Sequence, residues 1–113
     1  MLDDVAESNP TRKVALAYID TYEKRFGSKP ATFGANVWDG WLLLERAIPV
    51  AARTAKPGTE AFRAALRDAL EGSREVVGTQ GVFTMTPQNH NGMDERARVT
   101  VVVRDGRFRL LPE

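Results

Sequence analysis

The amino-acid sequence predicts a mixed α/β fold, α+β if the 113 residues are taken by themselves, with three helices, then short strands, then a C-terminal β-hairpin. Three observations carry that expectation. Apolar residues recur at helical spacing through most of residues 11–71. From Val76 onward β-branched residues and glycines replace that period. Near the C-terminus Asp105-Gly106 separates two strand-like runs, and Asp-Gly is the two-residue signature of a type I′ hairpin. Residues 1–75 are thus expected to be mainly helical and 76–113 mainly β, in a single segment with one core.

The first helix is punctuated at both ends. Ser8 or Asn9 is placed to cap it, Pro10 fits a first helical position where its missing N–H is no loss, and Gly27 offers a left-handed stop with Pro30 beyond. Val14, Tyr18, Tyr22 and Phe26 form its stripe, while Arg12, Lys13, Asp20, Glu23 and Lys24 lie largely off it. The second helix is expected over residues 36–54, with Asn36 or Thr32 as cap. Its surroundings, TFGANVWDGWLLLERAI, are apolar on most sides: Val37, Trp41, Leu44, Ile48 and Ala51 make one stripe and Trp38, Leu42 and Ala52 another. Only Asp39, Glu45, Arg46 and Arg53 interrupt. A helix of this kind is built to be covered, since a surface helix of a small domain shows one apolar stripe and one charged face. Pro49 predicts a bend against the carbonyl of Glu45. After AKPG a third helix is expected over 59–71, with Phe62, Leu66, Ala69 and Leu70 on one face, Glu60, Arg63, Arg67 and Asp68 on the other, and Gly72 at its end.

The stretch VVGTQGVFTM reads as short strand, tight bend, short strand, and TPQNHNG as a loop dense in turn formers. In ARVTVVV, Val99, Val101 and Val103 alternate with Arg98, Thr100 and Val102 before the Asp-Gly turn into RFRLL. A lone two-stranded ribbon is marginal in water and needs a sheet or helix to lie against.

Composition narrows the classes. A hydrophobic content of 42% with 27% charged residues is that of a globular domain, not of a disordered tail or a fibre. Sixteen basic residues, scattered among fifteen acidic ones, give no footprint for phosphate backbones, so no nucleic-acid partner is expected. Cysteine is absent, which excludes disulfides and thiolate metal sites. No run of apolar residues reaches membrane-spanning length, and the opening MLDDVAESNP is acidic and polar, so neither a membrane span nor a signal peptide is expected.

Catalytic chemistry finds little support. His90 is the single histidine, in a loop with Asn89, Asn91 and nearby Asp94 and Glu95, which lacks the second imidazole or thiolate a transition metal needs. Ser8, Ser28 and Ser73 sit in no nucleophile-elbow pattern, and GTQG lacks the spacing and lysine of a phosphate loop. The reading is a non-enzyme without cofactor or metal. Among the aromatics, Tyr18, Tyr22, Trp38 and Trp41 are expected to be core. Phe33 differs: it stands just before the second helix beside Gly34 and Ala35, where small residues and free helix N-terminal N–H groups could admit a carboxylate. A hydrophobic staple at the helix start explains Phe33 almost as well.

Taken in order, VALAYIDTYEKRFGSKPATFGANVWDGWLLLERAI, PGTEAFRAALRDALEG and VVGTQGVFTMTPQNHNGMDERARVTVVVRDGRFRL resemble the C-terminal third of a periplasmic substrate-binding protein of the branched-chain amino acid type. That type I family, which includes the Leu/Ile/Val-binding proteins, serves ABC importers. The resemblance implies a two-lobed, non-catalytic periplasmic receptor that holds an amino acid or an aliphatic or aromatic carboxylate in a closing cleft and delivers it to an ABC permease. It implies that Phe33, flanked by Gly34 and Ala35, borders that cleft, and that the missing remainder covers the apolar helix. The competing reading is a stand-alone α+β interaction module that self-associates through the helix at 36–54. As an isolated segment the chain is expected to form a homo-oligomer or swapped dimer.

Overall fold

A computed structural model describes residues 6–111; MLDDV, the start of the stretch that argued against a leader, lies outside them. Three helices, α1 (Thr11–Phe26), α2 (Thr32–Ala52) and α3 (Glu60–Glu71), precede β1 (Val76–Val77) and β2 (Val82–Phe83). A 3-10 turn (Glu95–Ala97) then leads to β3 (Val101–Arg104) and β4 (Arg107–Leu110). The strands form two separate antiparallel pairs, β1-β2 and β3-β4. This is the mixed α/β order that the sequence predicts.

Local chemistry explains most of the boundaries. Asn9 Oδ1 accepts from the N–H of Thr11 at 2.9 Å and from its hydroxyl at 2.8 Å, capping α1 from one residue before Pro10. Gly27 takes φ 71° and its N–H closes on the Glu23 carbonyl at 2.8 Å. The Thr59 hydroxyl accepts from the Phe62 N–H at 3.1 Å and caps α3. Gly72 ends that helix with right-handed dihedrals. Asp105 and Gly106, at φ 51° and 69°, make the left-handed pair that a type I′ turn requires.

The second helix departs from expectation in two ways. It begins at Thr32, a turn before Asn36, on an extended Ala31 with no side-chain cap, and it runs through Pro49 to Ala52. Its buried line is Ala35, Asp39, Leu43, Ala47 and Ala51, not the Val37–Trp41 stripe. Three alanines allow neighbouring backbone to approach closely, whereas Val37 and Trp41 on the other face are left largely bare among the described residues. Val37 is 75% exposed and Trp41 51%.

The buried line brings α2 against α3 and the β1-β2 hairpin. Leu43, Val76 and Phe83 form the core, with Leu70 and Met85 packed on it. In the hairpin Val76 pairs with Phe83 and Val77 with Val82. The bend between them is held from α2: Asp39, 3% exposed, accepts from the N–H of Thr79 at 2.6 Å and of Gln80 at 3.1 Å. Gly78 makes that approach possible, because a Cβ there would lie 2.7 Å from the Phe83 ring and 2.8 Å from the Asp39 carboxylate. In the second hairpin Val101, Val103, Phe108 and Leu110 share one face, and Val102, Arg104, Arg107 and Arg109 the other.

The molecule spans 54 × 33 × 22 Å with a radius of gyration of 16.6 Å, where a compact domain of this length has roughly 13 Å. Its accessible surface is 8208 Å², against roughly 6200 Å² for a compact monomer of its mass. The difference is surface that a self-sufficient domain would have buried.

Removing the Asp39 carboxylate strands two amide donors in an apolar setting. Asp39→Ala should cost about 2–3 kcal/mol, and Gly78→Ala about 1–3 kcal/mol through overpacking. Urea melts of the two variants check this, and an unchanged midpoint in either would contradict the geometry.

Candidate functional site

The corner singled out by the sequence lies in the first turn of α2, inside the helix and not just before it as expected. Phe33 projects outward and is 81% exposed. Ala35 is buried. Gly34 sits under the Tyr18 hydroxyl, where a Cβ would come within 2.7 Å of that oxygen. Of the three residues, Phe33 alone presents a side chain outward, and the small residue beside it serves an intramolecular approach. The Gly34 N–H is already engaged by the Ala31 carbonyl at 3.0 Å.

Around this corner an aromatic series runs along α1 and crosses to α2. Ring centroids of Phe26 and Tyr22 lie 4.6 Å apart, of Tyr22 and Tyr18 6.0 Å, and of Tyr18 and Trp38 5.6 Å. All are tilted pairs, a favourable geometry for the ring quadrupoles. Burial pushes the Tyr18 phenol up, with Tyr22 and Asp39 adding to the effect, so at neutral pH it remains a hydrogen-bond donor. Asn36, one turn on, bonds through Oδ1 to the Gln80 side-chain amide. The 78–81 bend is therefore tied to the same helix end twice, by Asn36 and by Asp39. Phe33, Val37 and Trp41, spaced one turn apart, make a continuous apolar outer face beside it.

Sequence reasoning missed Asp39, which it treated as an interruption. The available signal was its isolation: a carboxylate within an apolar helix must find donors, and a nearby loop rich in glycine offers backbone N–H groups. Thr79 Oγ1, also buried, has no hydrogen-bond partner among the described residues.

The His90 loop resolves into separate contacts. His90 Nε2 lies 3.0 Å from Glu71 Oε1 on α3. Asp94 turns away to cap the 3-10 turn and bind Arg96, whose guanidinium also grips Glu75 at 2.9 and 3.0 Å. Glu75 carries φ 49°, unusual for a residue with a side chain, and its carboxylate also meets the Thr84 hydroxyl. No group of three metal-binding side chains occurs among the described residues, and none of their helices is long and apolar enough to cross a membrane.

Neither a family model nor a curated protein matches this chain. Solved structures do. An extracellular ligand-binding receptor from Rhodopseudomonas palustris HaA2 superposes with a TM-score of 0.86 at 34% identity, over 98% of this chain and 31% of its own. A second receptor of that description from Rhodopseudomonas palustris gives 0.85 at 31% identity, over 98% and 31%. Another from strain HaA2 gives 0.83 at 44% identity, over 96% and 30%. The chain is thus similar, in fold and in sequence, to a segment spanning about a third of the length of these extracellular ligand-binding receptors.

The Arg96 cluster generates a pH dependence. Hydrogen bonds from Arg96 hold both Glu75 and Asp94 below the usual carboxylate range. Groups with lowered folded-state values stabilise fully above their ordinary values, and that contribution is lost as pH falls through the lowered ones. Arg96→Gln should therefore reduce stability at pH 7, and by less as the pH falls into the acid range, as read from urea melts over a pH series.

Proposed function

We propose that this chain is the C-terminal segment of an extracytoplasmic, type I solute-binding receptor of the branched-chain amino acid kind. In this reading the complete receptor captures an amino acid or a related aliphatic or aromatic carboxylate between two lobes and delivers it to an ABC permease. The reading is carried by one observation: nearly the whole chain matches receptors that are about three times its length. The bare Phe33–Val37–Trp41 face supports it, because a larger lobe would cover those side chains. Phe33 would then border the cleft, with Gly34 and Ala35 holding its backbone against α1. The receptor's role is binding and delivery, with no bond made or broken.

The test is a chimera in which this chain replaces the matching third of a Rhodopseudomonas palustris HaA2 receptor, screened by thermal shift with amino acids and with aliphatic and aromatic carboxylates. Saturating ligand should raise the melting temperature by roughly 5 °C or more, and Phe33→Ala should weaken binding about tenfold. A folded chimera indifferent to every compound would sink the proposal.

The exposed face also favours a second reading, in which the chain by itself is an interaction module that pairs with its own copy through α2. Sedimentation at micromolar concentration should then show a dimer or larger that Trp41→Glu disperses. A clean monomer would rule it out.

A further inference from the structure

We propose that Asn91 is a site of covalent modification, losing its side-chain amide through a cyclic imide formed with the Gly92 nitrogen and ending as aspartate or isoaspartate. The Gly92 N–H gives up its proton to solvent base, and its nitrogen bonds to Asn91 Cγ. The bond from Cγ to the side-chain nitrogen breaks, and that nitrogen takes a proton from solvent and leaves as ammonia. Water then adds to either imide carbonyl and opens the ring, with no oxidant or reductant involved.

Asparagine is a thermolabile residue, and the fold decides which asparagine of the chain reacts. Asn9 caps α1 with its Oδ1 and is followed by Pro10, whose nitrogen has no proton to lose. Asn36 lies within α2, where the helical ladder holds the next N–H, and its Oδ1 accepts from the Gln80 amide. Asn89 Oδ1 accepts from the N–H groups of Asn91 at 3.0 Å and Gly92 at 3.1 Å, and the side chain of His90 crowds ring closure there. Asn91 differs on every count. It is exposed, its side chain makes no hydrogen bond among the described residues, and glycine follows it.

That glycine is imposed by the structure. Gly92 takes φ 70°, and a Cβ there would come 2.6 Å from the Met85 sulfur. The unhindered nitrogen that speeds ring closure therefore comes with the turn. One contact opposes the reaction, because the Gly92 N–H must leave Asn89 Oδ1 before its proton can be lost. The Gly92 carbonyl accepts from the Thr84 N–H at 2.8 Å, next to β2. An isoaspartyl link lengthens the backbone by a methylene and pulls at that tie. This inference does not rest on the receptor reading.

Incubating the 113-residue chain at mildly alkaline pH provides the test, read by peptide mass spectrometry with fragmentation that separates isoaspartate from aspartate. Amide loss should concentrate at Asn91, with isoaspartate among the products, and Asn91→Gln should leave the chain folded and unmodified there. Asn89→Ala should speed the loss about fivefold, the effect of one ordinary hydrogen bond. Asn89→Asp keeps the acceptor and should react no faster than the parent. Faster loss at Asn9, Asn36 or Asn89, aspartate as the sole product, or a parental rate in Asn89→Ala would each overturn the proposal. The isoaspartyl form, separated by anion exchange, should unfold at lower urea than Asn91→Asp, which carries the same charge on an ordinary backbone; an equal midpoint would overturn the link to Thr84.

Discussion

The carboxylate of Asp39 is the constraint on which the rest of the structure depends. It draws two amide donors from a bend about forty residues away in the chain, and it does so from the middle of an otherwise apolar helix. Those bonds fix the 78–81 bend, and the bend fixes the short hairpin whose Val76 and Phe83 meet Leu43 one turn further along α2. The energetic logic is that of a buried charge satisfied by backbone dipoles: costly if left alone, and specific in geometry once paired. Gly78 belongs to the same arrangement, because only a residue without a side chain lets Phe83 and Asp39 converge on it.

Choosing that side of α2 as the inner one determines what is left outside. The inner line is three alanines, Leu43 and one acid, and the outer line is Phe33, Val37 and Trp41. A helix built in this way has one side committed to its own chain and another left bare. The surplus of accessible surface and the elongated shape are the same fact measured over the whole molecule.

What the sequence disclosed was mostly local. The Asn9 cap, the Gly27 stop and the Asp105-Gly106 turn each depend on chemistry within a few residues, and each is where the residue types placed it. The start of α2 was misplaced because Ala31 offers no cap to read. Its orientation was misjudged because counting bulky apolar residues presumes that they go inward. In this chain the deciding contacts are a distant loop's N–H groups and the close approach that alanine allows, neither of which is written in periodicity. The Phe33 corner was legible as an aromatic beside two small residues, with its exposure left open between a ligand contact and a staple. The part played by Gly34 was not, since it depends on where Tyr18 arrives from another helix.

The second hairpin has a consequence for how the chain behaves in a tube. Its valine-rich face is bare, and an uncovered β-edge invites stacking of one molecule on the next. Arg104, Arg107 and Arg109, side by side on the reverse, act against this by keeping neighbouring ribbons electrostatically apart. Since added salt shortens the reach of that repulsion and leaves the attraction between valines intact, solubility here is a property of the buffer as much as of the fold, and dilute electrolyte is the kinder medium.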